Sequence, residues 1–178
     1  MLRFAAMSVF LTALLVSSPA AAQYGGGGGM GGGSKGRVIL AFSTMYGVNG
    51  PFVGAANPLR GVNGDALPWV VSKSAKGSLT STGKLNIKVK GLVFPDDPSV
   101  PPELRGINDD EEFRALVSCI TVDGDEVTEE NVMTEGFPAD TKGNSKIKAQ
   151  VALPDPCLAP IVMILGGDED LWFAATGF

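Results

Sequence analysis

Residues 84–90 alternate strictly between a polar residue and an aliphatic one, and this period of two predicts a half-buried β-strand. Leu85, Ile87 and Val89 fall on the buried face, whereas the opposite face carries three lysines and an asparagine. Residues 146–151 repeat the arrangement. Because lysine side chains discourage pairing with another chain, we expect both strands to lie at sheet edges.

Six further segments are short, rich in β-branched and aromatic residues, and separated by turn residues such as Gly, Asp and Asn. They are residues 38–42, 69–72 with a continuation near Leu79, 113–122, 127–134, 161–165 and 171–176. No sustained apolar period of 3.6 residues occurs in this part of the chain, which argues against long helices. The pattern predicts an all-β fold, an antiparallel β-sandwich of seven to eight strands that is immunoglobulin-like in general architecture.

The first 22 residues have the pattern of an export signal. Arg3 precedes an apolar run over residues 4–16, and small residues follow up to Ala22. Since about 20 apolar residues are needed to span a bilayer as a helix, we predict a signal peptide cleaved near Ala22 and no membrane insertion. The glycine-rich residues 23–35 predict a disordered tether, which leaves the domain at residues 36–178. The expected location is secreted or periplasmic.

Charge and composition exclude several classes of function. The chain has no histidine, which rules out Ser-His-Asp and Cys-His catalysis and imidazole-based zinc sites. Its formal net charge of −5 becomes more negative when Arg3 leaves with the signal, which argues against a nucleic-acid partner. Outside the glycine-rich residues 25–36, the chain contains no P-loop, dinucleotide-binding glycine motif or G-x-S-x-G motif. We therefore expect no cofactor and no catalytic residue.

Acidic residues cluster in four short segments, at residues 109–112, 123–126, 129–130 and 168–170. None matches the spacing of an EF-hand loop, so the clusters are read as solvated turns and no metal site is predicted. A weak calcium site near Asp123 and Asp125, or near Asp168 and Asp170, stays open as an alternative.

The chain contains two cysteines, Cys119 and Cys157, and both lie in the part predicted to be exported. An even cysteine count in an oxidising compartment predicts a disulfide. Cys119 shares the apolar face of its strand with Phe113, Ala115 and Val117, so we expect the bridge to be buried and structural.

Two connections, residues 47–67 and 95–112, are long for a compact domain. Long ordered loops on a sandwich often carry binding residues. The candidate binding residues in these loops are Phe52, Arg60, Leu104 and Arg105. In the alternative interpretation, the apolar residues of the loops simply pack them against the domain.

The domain resembles a group of uncharacterised exported bacterial proteins in four segments. These segments are residues 50–54, 67–70, 113–119 and 172–177. The resemblance covers most of residues 37–178 and implies no activity and no catalytic residue.

Taken together, the sequence predicts a secreted or periplasmic, non-enzymatic β-sandwich with a binding or structural role. The expected partner is a protein or another component of the cell envelope. A carboxylate-based hydrolase is an alternative, because catalytic carboxylate pairs leave no spacing signal. A small outer-membrane β-barrel is a second alternative, since the chain ends in Phe178 and is long enough for eight strands.

Overall fold

The computed structural model describes residues 36–177, and this part of the chain is all-β. It contains ten strands and one short 3-10 helix, Gly50–Phe52. The predicted signal peptide, the predicted tether and Phe178 lie outside the described residues.

The strands form two antiparallel sheets. The first sheet has the strand order β1 (Val38–Phe42), β3 (Val70–Thr80), β4 (Lys84–Val93) and β8 (Ser145–Gln150). The second sheet has the order β2 (Met45–Gly47), β10 (Trp172–Thr176), β9 (Leu158–Gly166), β5 (Glu112–Asp123) and β6 (Glu126–Met133), and β7 (Phe137–Pro138) also pairs with β5. The sheets do not close into a barrel, which confirms the predicted β-sandwich; the barrel considered from the sequence is not the fold of residues 36–177.

All eight strands predicted from the sequence are present, and the structure adds β2 and β7. The predicted number of seven to eight strands is therefore too low. The two additional strands are three and two residues long. They are strands because β2 pairs with β10 and β7 pairs with β5. The sequence of so short a segment does not reveal a tertiary pairing of this kind.

The core lies between the two sheets and is centred on aromatic side chains. Trp69 stacks on Phe173 with ring centroids 4.1 Å apart and planes 8° from parallel, and Phe94 lies 4.1 Å from Trp69. Phe113 meets Phe173 edge-on at 6.2 Å. All four rings are buried. Aromatic pairs of this kind add about 0.5–1.5 kcal/mol each beyond the burial of their apolar area.

The predicted disulfide between Cys119 and Cys157 is confirmed, with the two Cα atoms 5.0 Å apart. Cys119 lies on β5 and is fully buried, whereas Cys157 immediately precedes β9 and is half-buried. Since β5 and β9 are neighbours in the second sheet, the bridge fixes the start of β9 against β5.

Candidate functional site

Phe52 and Arg60, two of the candidate binding residues, hold the connection between β2 and β3 against the second sheet. Phe52 is half-buried and its ring lies 6.2 Å from that of Trp172. The Arg60 side chain is 16 % exposed; its Nη2 donates to the carbonyl of Ala159 at 3.3 Å, and its Nε lies 3.7 Å from a Glu129 carboxylate oxygen. These contacts join the loop to β6 and β9.

Leu104 and Arg105, the other two candidates, stabilise their own loop. Leu104 is half-buried and packs against the core. Arg105 donates from Nε to the carbonyl of Val100 at 3.0 Å, and its Nη1 lies 3.6 Å from Asp96. Arg60 therefore contacts β6 and β9, whereas Arg105 contacts residues of its own loop. The contacts of the four candidates favour the alternative in which they pack the loops down, and their role in binding stays a prediction.

The first sheet has a different character from the rest of the molecule, because its four strands contain no aspartate or glutamate. The same strands contain seven lysines, although the chain as a whole has a net charge of −5. Six of these side chains alternate with the buried residues and are exposed on the outer side of the sandwich. We call this surface the lysine face; its lysines are Lys76, Lys84, Lys88, Lys90, Lys146 and Lys148.

The register of the sheet aligns three of these lysines in one row. Lys76 on β3 pairs with Lys88 on β4, and Lys88 pairs in turn with Lys146 on β8. Neighbouring strands are about 4.8 Å apart, so three ammonium-bearing side chains leave the sheet within roughly 10 Å. Like charges directly opposite each other destabilise a sheet. This arrangement is therefore unfavourable for the isolated protein.

No carboxylate of the described residues neutralises this row. The ion pairs found within residues 36–177 all use arginine, and none uses a lysine; they join Arg60 to Glu129, Arg105 to Asp96 and Arg114 to Asp170. The positive charge of the lysine face therefore remains available to a ligand.

Two adjoining depressions run along the lysine face and share Lys88 and Lys146. Their volumes are about 500 and 560 Å³. Other residues that line them include Phe42, Lys76, Ser78, Asn86, Lys90, Pro138, Asn144 and Lys148. Ser78 and Asn86 pair across β3 and β4 next to the Lys76–Lys88 pair. Both are half-buried, and their side chains make no hydrogen bond within residues 36–177.

The expectation that both lysine-bearing strands lie at sheet edges is right for β8 and wrong for β4. β4 lies between β3 and β8 and pairs with both. Alternation reveals that one face of a strand is solvated, but a central strand of a sandwich has a solvated face as well. Protection of an exposed edge therefore cannot explain the lysines of β4.

A separate depression of about 370 Å³ is lined by the acidic residues 109–112 together with Gly167 and Asp168. Half-burial, and then the charges of Asp109, Glu169 and Asp168, raise the pKa of Asp110 to about 6. No lysine, arginine or aromatic side chain lines this depression. Within residues 36–177 no group of three or more acidic or cysteine side chains is arranged to hold a metal ion, including near Asp123 and Asp125.

A larger depression, of about 730 Å³, lies beside the disulfide and is lined by the β3–β4 turn and residues 150–157. Its charged lining residues are Arg37 and Asp155, of opposite sign. The amide of Gln150 donates to the carbonyl of Thr82, so part of its polar lining is already bonded internally. The lysine face is the stronger candidate, because its lysines form no ion pair within residues 36–177 and all its charges are of one sign.

No protein-family model, no curated protein and no solved structure matches the chain. The resemblance to exported bacterial proteins accordingly stays a prediction. Among residues 36–177, no helix has the length and apolar character needed to cross a membrane.

Proposed function

We propose that this protein is an exported, non-enzymatic binding module whose lysine face binds anionic ligands. The observation that carries the proposal is the cross-strand row Lys76–Lys88–Lys146, which has no carboxylate partner within residues 36–177 of an otherwise acidic protein. Local arrangements that cost stability without an internal compensation are typical of functional sites. A bound anion would supply the missing opposite charges and turn repulsion within the row into attraction.

Lysines on edge strands also discourage pairing with other chains, and that explanation covers only part of the observation. It accounts for Lys146 and Lys148 on the edge strand β8. It does not account for Lys88 on the central strand β4, nor for the alignment of three lysines in register. The complete absence of acidic residues from all four strands likewise favours a surface that attracts anions.

The hydrolase alternative has one observation in its favour, the raised pKa of Asp110 in an acidic depression. A general acid of raised pKa is one part of glycoside hydrolysis. The depression, however, offers a substrate only carboxylates and a glycine. We expect no release of reducing ends from soluble polysaccharides; release that disappears in the Asp110→Asn variant would favour the hydrolase instead.

Binding to dextran sulfate, a general polyanion, tests the proposal. The protein should bind at low ionic strength and lose affinity as salt is added, because exposed charges are screened. Replacing Lys76, Lys88 and Lys146 together by Gln should weaken binding about tenfold, since each exposed ion pair contributes about 0.5 kcal/mol.

The matched control is Lys142→Gln, which removes a lysine from the turn before β8, outside the lysine face. Its affinity should stay within about twofold of the wild type, because it leaves the row intact. A triple variant that binds dextran sulfate as tightly as the wild type contradicts the proposal.

A further inference from the structure

We infer that the ligand of the lysine face is an acidic polysaccharide, a chain whose sugars carry both carboxylates and free hydroxyls. The inference rests on the proposed function and narrows it to one chemical class. Three properties of the face support it: the type of its cations, the neutral groups between them, and the scarcity of aromatic and large apolar side chains.

The cations of the face are all lysines, and the four strands of the first sheet contain no arginine. Arginine presents a planar fork that matches phosphate in two hydrogen bonds, whereas the lysine ammonium acts as a point charge with rotatable donors. Point charges distributed over a surface suit carboxylates that recur along a chain. Along β4, Lys84, Lys88 and Lys90 extend this distribution over roughly 20 Å.

The neutral side chains Ser78 and Asn86 lie beside the lysine row and have unused hydrogen-bonding capacity. They pair across β3 and β4, two residues along the strands from Lys76 and Lys88, and Lys148 pairs with Asn86 on the other side. A hydroxyl and an amide can each donate and accept a hydrogen bond. A ligand that offers hydroxyls close to its negative charges would satisfy both the lysines and these two side chains.

The same surface is less suited to nucleic acid. Proteins that hold single strands stack the bases on aromatic side chains, and the depressions of the lysine face contain one aromatic residue, Phe42. No arginine is available on these strands for the bidentate contacts that read bases in duplex DNA.

An anionic membrane is also a poorer match. Stable binding at a bilayer interface combines basic residues with apolar side chains that enter the lipid. The large apolar residues exposed on the first sheet are Val38 and Val70, each at the beginning of its strand rather than among the lysines. The lysine face therefore offers charged and hydrogen-bonding side chains but few apolar side chains that could enter a bilayer.

The test compares polygalacturonate, which carries carboxylates and hydroxyls, with polyphosphate, which carries charge alone. Titrations use the wild type, Lys88→Gln, the double variant Ser78→Ala/Asn86→Ala and the control Lys142→Gln. We expect Lys88→Gln to weaken binding of both polymers severalfold. The double variant should bind polygalacturonate about tenfold more weakly, because two hydrogen bonds are lost, and its affinity for polyphosphate should change less than about twofold. Neutral dextran, duplex DNA and phosphatidylglycerol vesicles complete the panel and should bind more weakly than polygalacturonate.

Two kinds of result overturn the inference, and they are distinguishable. If polyphosphate, DNA or vesicles bind more tightly than polygalacturonate and binding still depends on Lys88, the inference of a polysaccharide ligand is wrong and the proposed anion-binding function is retained. The same conclusion follows if the double variant weakens the binding of both polymers equally. If Lys88→Gln changes no affinity, the proposed function fails together with the inference. Thermal melting confirms that each variant is folded, and Asn86→Ser replaces the double variant if that protein does not fold.

Discussion

Removing the positive charge of Lys88 should make the protein more stable. Lys88 lies between Lys76 and Lys146, and side chains paired in this way have Cβ atoms about 5 Å apart. With the ammonium groups about 7 Å apart in water, each repulsion is about 0.6 kcal/mol, which screening at physiological salt reduces to about 0.25 kcal/mol. Lys88→Gln should therefore raise the free energy of unfolding by about 0.5 kcal/mol. Lys88→Glu should raise it by about 1 kcal/mol, because it replaces two repulsions by two attractions.

Urea denaturation followed by tryptophan fluorescence measures this effect, since Trp69 and Trp172 are both buried in the fold. The gain should shrink in 1 M salt, where the Debye length is about 3 Å. The control Lys142→Glu should bring no gain, because Lys142 lies near Asp140 and its charge contributes to the lowered pKa of that carboxyl. If Lys88→Glu fails to stabilise the protein, or if its gain persists in high salt, the row of repelling charges is not the energetic feature that we describe.

Two other predictions concern the disulfide and the acidic depression. Replacing Cys119 and Cys157 by Ala opens a loop with a sequence separation of 38; the chain-entropy relation then gives a loss of about 4 kcal/mol, measurable as a lower urea midpoint, and a loss below about 1 kcal/mol would contradict a structural role. The second concerns Asp110, whose folded-state pKa is raised from 3.8 to about 6. Its contribution to stability is fully present below about pH 4 and is lost as the pH rises through 6. Asp110→Asn should thus match the wild type at pH 4 and exceed its stability at pH 8. After a reduction for the half-exposed position, the expected gain is about 1 kcal/mol. Equal stability curves for Asp110→Asn and the wild type would contradict the reasoning.

The strands were predictable because the residue pattern that identifies each of them lies within the strand itself. Alternation over residues 84–90 and 146–151 identifies β4 and β8 directly, and short β-branched or aromatic runs identify the other long strands. The disulfide was predictable from the even cysteine count, and the burial of Cys119 from the strand face that it shares with residues that prove fully buried. By contrast, β2 and β7 depend on partners distant in sequence and carry no pattern of their own.

The lysine face could be predicted only in part. The sequence shows that β4 and β8 each have a lysine-bearing side, but it does not show that these sides belong to the same surface. The row forms because the pairing register brings Lys76, Lys88 and Lys146 together, and that register is set by packing across the whole sheet. In β3 the pairing shifts between Val71 and Ser74, which interrupts the alternation and hides the contribution of Lys76.

The most direct test of the central claim is lysine footprinting in the presence of a polyanion. The protein is acetylated with a limiting reagent, with and without saturating dextran sulfate, and the modification of each lysine is measured by mass spectrometry. Our account predicts that the ligand protects Lys88 and Lys146 most strongly, followed by Lys76, while Lys142 reacts equally in both samples. Equal protection of all these lysines, or stronger protection of Lys142 than of Lys88, would contradict a binding surface on the first sheet.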